Sequence, residues 1–231
     1  MIHMVEFKMN TIQRSTLSQQ VLEHIISMLM NGQLNPGDKL PSELTLMNDF
    51  DVSRPVLREA LSSLETLEMI TRRPRGGTYI NEKVGSSPFK AMLALSINNF
   101  PAVIEARMTL ELGLVTLAAE KITEDHLDQL KKTIVSIDES IDNNYGKYDK
   151  QFHSIIAHSA NNPVVEGMIN SLLMAHEKTD SLIPFREPEI TIEHHTAIYE
   201  ALKNRDPVQS FQEMYKHLSY VREKILSRND I

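Results

Sequence analysis

The stretch Val52–Ile80, VSRPVLREALSSLETLEMITRRPRGGTYI, constrains the chain more than any other. Val56, Leu57, Ala60, Leu61, Leu64 and Leu67 recur at three- and four-residue steps, the one-sided apolar stripe of an amphipathic helix. Ser53 stands at the N-cap position, where its hydroxyl is expected to accept from a first-turn amide, and Pro55 is tolerated within that turn. Arg54 and Arg58 are four apart and so leave the start of the helix on the same side. After Met69 the period shortens to that of a strand, breaks at Pro74-Arg75-Gly76-Gly77, and resumes in Thr78-Tyr79-Ile80: a hairpin with a basic, glycine-bearing tip. A helix led by arginines and followed by a basic hairpin is shaped for DNA. Its N-terminus fits the major groove, and arginine pairs with guanine or grips phosphate. The Gly-Gly tip is expected to let backbone approach the sugar-phosphate wall. The bland alternative is a surface helix with solvated arginines and an unrelated hairpin.

Upstream, Leu17, Val21, Leu22, Ile25, Ile26 and Leu29 form a second helical stripe that stops at Asn31-Gly32. A turn-rich connection, Gln33 to Pro41, leads to Ser42, which opens a short helix carrying Leu44, Leu46, Met47 and Phe50. Three helices and a two-stranded wing make a winged helix-turn-helix over residues 16–83, preceded by a loose arm, residues 1–15. The net charge of −7 does not look like a nucleic-acid binder. Its distribution does: through Lys83 there are nine Lys/Arg against ten Asp/Glu, while the remainder carries fifteen against twenty-one. Between Met69 and Asn81 lie three arginines and no acid. Such a local patch on a nearly neutral domain suits specific binding by a dimer better than coating of DNA.

LNPGDKLPSE, then VSRPVLREAL, then a wing closing on RGGTYI resembles the DNA-binding domain of the GntR family of bacterial transcriptional regulators, across roughly Thr16–Ile80. The resemblance implies that Ser53, Arg54, Arg58 and the wing residue Gly76 contact DNA, with Arg75 beside them at the basic tip. There are two departures. Leu44 stands where the family usually has arginine, which should remove one DNA contact, and Met69 stands where it commonly has glycine before the first wing strand.

Residues 84–88 (VGSSP) read as a linker, and residues 89–231 as helix almost throughout, in six to seven helices. The stripes are Phe89–Asn98, Pro101–Lys121, Glu124–Asp142, Tyr145–Ala160, Pro163–Asp180, Glu189–Asn204 and Pro207–Arg228. The fold class is therefore mainly α, a winged helix-turn-helix joined to an all-helical bundle. With no cysteine in the chain, disulfides and thiolate metal sites are excluded. No apolar run is long enough to span a bilayer and the N-terminus has no signal-like core, so no membrane partner and a cytoplasmic location are expected.

Within the helical half, Asp149 and His153 lie four apart on one helix face, and His195 and His217 each sit on the apolar side of a different helix. An inward imidazole needs a partner. Read from the residues alone, these are either satisfied core histidines or an Asp/His₃ set suited to Zn, Ni, Mn or Fe(II). D-x-x-F-H, H-H-x-x-I-x-x-A-L and a final His-Leu are similar to the FCD-type ligand-binding domain of one GntR branch. That resemblance implies metal ligands at Asp149, His153, His195 and His217. It also implies that Arg107, in an R-x-x-x-E motif with Glu111, helps hold an effector carboxylate; the alternative for Arg107 is a partner to Glu111 on its own helix. His194 occupies the slot usually held by an acid.

The function expected is a sequence-specific DNA-binding regulator and repressor, a homodimer on a palindromic operator. Its helical half would bind a divalent transition metal (Zn, Ni or Mn) and a small carboxylate metabolite. The alternatives are a metal-dependent helical hydrolase, for which no HExxH or paired-carboxylate motif exists, and a DNA-binding regulator with a structural metal and a non-carboxylate ligand.

Overall fold

Helices α1 (Leu17–Met30), α2 (Glu43–Phe50) and α3 (Arg54–Thr66), followed by strands β1 (Ile70–Arg73) and β2 (Gly77–Ile80), build the N-terminal unit of the computed structural model. Among the described residues seven further helices follow: α4 (Ser87–Ser96), α5 (Phe100–Lys121), α6 (Glu124–Asp138), α7 (Gly146–Ser159), α8 (Pro163–Asp180), α9 (Pro188–Lys203) and α10 (Pro207–Leu226). The structure describes residues 15–83, 85–140, 145–180 and 187–227, with residues 175–180 as backbone only. The expected arm up to residue 14, Val84 of the expected linker, and the helix ends placed at Asp142 and Arg228 lie outside the described residues. Contacts divide the chain into two compact units, the first ending at residue 83. Among the described residues no helix is long and apolar enough to cross a membrane.

The caps explain where the helices begin. Thr16 accepts from the Gln19 amide at 3.2 Å, Ser42 from Thr45 at 3.1 Å, and Asp206 from Val208 and Gln209. Thr123 and His126 form a reciprocal capping box at the head of α6. Ser53 holds the N-cap position of α3, but its hydroxyl makes no cap hydrogen bond, contrary to expectation. Pro55 accounts for half of this, because it deletes one of the two amides such a cap uses. Helix α4 starts at Ser87, inside the segment read as linker, with Pro88 in its first turn where a missing N–H costs nothing.

The N-terminal core gathers Val21 and Ile25 of α1, Leu46 of α2, Leu57, Ala60, Leu61 and Leu64 of α3, and Ile70 and Ile80 of the wing. The wing strands pair antiparallel, with Ile70 opposite Ile80 and Arg73 opposite Gly77. The segment read as a plain connection adds a further bridge: Lys39 pairs with Tyr79, the Leu40 amide donates to Thr78, and the Ile80 amide donates to Asp38. Leu40, buried by this pairing, completes the core.

The tip is a turn closed by the Gly76 amide donating to the Arg73 carbonyl at 2.9 Å. Arg75 takes the left-handed conformation at φ +59°. Gly76 is required within the turn itself, since a Cβ there would sit 2.9 Å from the Arg73 Cβ. The left-handed residue ahead of the wing is Glu68, at φ +55°, rather than Met69. Asn81 locks that turn, donating from Nδ2 to the Glu68 carbonyl at 2.7 Å and from its amide to Met69.

A side chain in the left-handed region costs about 1–2 kcal/mol, and glycine recovers it less the roughly 0.4–1 kcal/mol of extra chain entropy. Glu68→Gly is therefore expected to stabilise the N-terminal unit by about 0.5–1 kcal/mol in urea unfolding; a loss of stability would show that Glu68 contacts outweigh the strain.

Candidate metal centre and nucleic-acid interface

In the second unit, α5, α7, α9 and α10 converge on one buried group of polar side chains. The surrounding core includes Leu114, Val115, Ala118, Phe152, Ile156, Ile198, Leu202, Met214 and Leu218. Helix α7 supplies Asp149 and His153 one turn apart, α9 supplies His195 and α10 supplies His217, and all four are buried. The Tyr145 hydroxyl, 2.9 Å from Thr191 Oγ1, ties the start of α7 to α9. Phe152 stacks flat on the His195 ring, 3.9 Å between centroids, and fixes its plane.

One potential ligand atom from each of the four residues lies within 4.8 Å of all the others. The His153 and His217 Nε2 atoms are 3.1 Å apart, His195 Nε2 is 3.2 Å from Asp149 Oδ1, and His153 Nε2 is 3.9 Å from that oxygen. Imidazole nitrogen and carboxylate oxygen bind zinc at about 2.0–2.2 Å, which sets two ligands of one ion roughly 3–4 Å apart. Both ring nitrogens of His195 and Nδ1 of His217 are buried without a hydrogen bond. A buried polar atom left so costs about 1–3 kcal/mol, and at His195 Nε2 a coordinated cation would remove that cost. Three imidazoles and one carboxylate are thus a donor set that could hold a divalent transition metal.

The sequence did not single out Glu111 as a partner of this group. Its carboxylate is shared: one oxygen accepts from Arg107 Nε and the other from His153 Nδ1. Burial pushes the Glu111 carboxyl up, but Arg107 and His153 outweigh it and hold it at about 2. With Nδ1 donating, His153 presents an Nε2 lone pair to the centre, the arrangement that orients metal-bound histidines. The trace of Glu111 in the sequence was the R-x-x-x-E spacing, which does not tell which way the acid faces. Arg107 is therefore a partner of Glu111, the alternative left open above. Among the described residues its terminal nitrogens make no hydrogen bond. His194, in the slot of the usual acid, is buried edge-on to the rings of His217 and Tyr220 and lies outside the four-atom group.

Residues 102–220 match the FCD domain, and residues 17–80 match the bacterial regulatory proteins of the gntR family. The chain belongs to the GntR family, FCD branch. The regulator is 60% identical over 97% of both chains to the uncharacterised HTH-type transcriptional regulator YcbG of Bacillus subtilis. It is 32% identical to LutR of the same organism, over 87% of this chain and 96% of that one. It is also 28% identical to the Escherichia coli transcriptional repressor NanR, over 91% and 84%. Among solved structures, Streptococcus agalactiae GntR superposes with a TM-score of 0.60 at 28% identity, covering 89% of this chain and 99% of that one. The regulator is thus a DNA-binding transcription factor and not an enzyme, which sets the hydrolase alternative aside.

The regulator's N-terminal unit carries a cleft of about 840 Å³ between the start of α3 and the wing. Arg58, Arg73, Arg75 and Gly76 line it, and Ser53 and Arg54 are exposed at the start of α3. Arg58 reaches Glu43 only loosely, at 3.9 Å with both side chains exposed. Arg72 is spent within the fold, its Nε donating to Glu65 at 2.8 Å. Leu44 is 61% exposed on α2, where an arginine would reach solvent without disturbing the core.

Burial holds His195 below its usual range despite the opposing Asp149 carboxylate, and burial together with the neighbouring histidines holds His217 well below it. The unfolded chain therefore takes up protons at these residues below about pH 6.5 that the metal-free folded chain refuses, so stability falls as pH drops from about 7 to 5. His217→Leu removes one such group and is expected to flatten this dependence in urea unfolding of metal-free protein. Identical pH slopes for the two proteins would contradict the assignment.

Proposed function

We propose that the regulator is a repressor whose DNA affinity is set by a small carboxylate bound in the helical unit beside a divalent metal. The observation that carries this reading is the buried Asp149, His153, His195 and His217 group, with Glu111 linking it to Arg107. The metal, zinc, nickel or manganese, would supply positive charge and open positions for an anion in an otherwise apolar bundle. Arg107 holds Glu111 through Nε, which leaves the parallel terminal nitrogens of its guanidinium for a bidentate carboxylate. A ligand with two such anchors must change the bundle's preferred state if it binds one state better than the other.

On the DNA side, Arg54 and Arg58 at the start of α3 read bases in the major groove, Ser53 with its uncommitted hydroxyl meets a phosphate, and Arg75 and Gly76 bring the wing tip to the duplex. The similarity to NanR, named a repressor, supports repression as the sign of regulation. A homodimer on a palindromic operator follows from the two half-sites such readers use, and such a repressor acts in the cytoplasm.

Two measurements test the two halves separately. Arg58→Ala and Arg54→Ala are expected to weaken operator binding by about 1–3 kcal/mol each, with metal content unchanged. Wild-type gel shifts from both variants would overturn the recognition-helix assignment. In a melting screen over metabolite carboxylates, a bound effector raises the transition of the metal-loaded protein. Arg107→Lys keeps a cation for Glu111 but loses the fork, so it should retain metal while the response to the effector falls about tenfold or more. A full response from Arg107→Lys would remove Arg107 from the effector site.

A further inference from the structure

Lys39 was read as part of a turn, yet the fold places it in register with the wing. It sits opposite Tyr79 in the extra bridge on β2, and its side chain passes beside Gly77. Two features seat it there. Gly77, at φ +102°, leaves the space the lysine occupies: a Cβ at that position would be 2.7 Å from the Lys39 Cε. The Tyr79 ring lies under the ammonium, 5.5 Å from Nζ to the ring centroid. Arg73 meets the same ring, 4.6 Å from its guanidinium carbon to the centroid. The ring itself is pinned by its hydroxyl, which donates to the Gly76 carbonyl at 3.2 Å.

Lys39 and Arg73 are both exposed, and both line the cleft that Arg58 and Arg75 also line. Among the described residues lining that cleft only Glu43 is acidic, and it already faces Arg58. Two cations held against one aromatic ring, with their charged ends in solvent and no carboxylate partner among the described residues, lose little side-chain entropy when an anion arrives. Both charges line the same cleft, where a point-charge ammonium and a forked guanidinium can each meet an anionic oxygen. We propose that Lys39 and Arg73, seated on Tyr79, form a clamp for a backbone phosphate of duplex DNA beside the recognition helix. The proposal rests on the DNA-binding reading of α3 and adds to it a contact from outside both the helix-turn-helix and the wing tip. The second tip glycine then serves to admit Lys39 and not to approach DNA itself.

Phosphate contacts are counted by salt dependence: each one neutralised contributes about 0.9 to the slope of log affinity against log salt, whatever the sequence. Fluorescence anisotropy of the full chain on a mixed-sequence duplex, across a salt series, is therefore the direct test. Lys39→Gln and Arg73→Gln are each expected to lower the slope by about 0.9, and the double variant by about twice that. On an operator selected from a random duplex pool, the ratio of specific to mixed-sequence affinity should be kept, because no base contact is lost. Circular dichroism should show unchanged melting, both side chains being exposed. Wild-type slopes from both single variants would overturn the clamp. If Arg54→Ala and Arg58→Ala still weaken binding in that case, the recognition helix stands and only the clamp fails; if those variants also match wild type, the DNA reading of α3 fails with it.

Discussion

One carboxylate at the centre of the helical unit, that of Glu111, decides how four helices can meet. A buried acid is tolerated only with its charge compensated and its oxygens bonded, and here each oxygen has its own partner, Arg107 on α5 and His153 on α7. The consequence spreads outward. His153 is oriented by Glu111, so its second nitrogen faces His217 on α10, and Asp149, one turn earlier on α7, reaches His195 on α9. Removing Arg107 would leave an uncompensated charge in the core, and removing His153 would leave a buried carboxylate oxygen without its donor. That gives this group a structural role in addition to any ligand it holds.

The same constraint explains what the sequence could and could not reveal. Helices α6 to α10 announce themselves by stripes and by caps at Thr123, Asn162-Pro163 and Asp206-Pro207, because those signals are local. The four residues of the candidate centre were legible for a related reason: imidazoles on apolar faces are conspicuous. Glu111 was not, since one residue four places from an arginine on a single helix looks the same whether it faces solvent or core. Only the packing of α7 against α5 distinguishes the two.

In the N-terminal unit the recognition helix and hairpin were visible from period and turn residues. The pairing of Lys39 with Tyr79 was not, because it is made by backbone groups and leaves no side-chain pattern. A second role of the glycines was hidden for the same reason. What a missing Cβ makes room for depends on which side chain crosses it, here Arg73 at one position and Lys39 at the other. Ser53 shows the opposite failure. The local rule predicts a capped amide, and the structure leaves Ser53 exposed with no cap hydrogen bond.

In the proposed function, sensing and reading reside in separate units, so an effector would act on DNA only to the extent that its affinity differs between states of the chain, and DNA would bias effector binding by the same factor. That coupling begins at the buried donor set, and X-ray absorption on protein reconstituted with zinc, nickel or manganese tests the set most directly. One metal per chain is expected, with three imidazole nitrogens and a carboxylate oxygen at about 2.0–2.2 Å and a spectrum that loses an imidazole shell in His217→Ala. Protein that binds no metal under these conditions, or a His217→Ala spectrum identical to wild type, would contradict it.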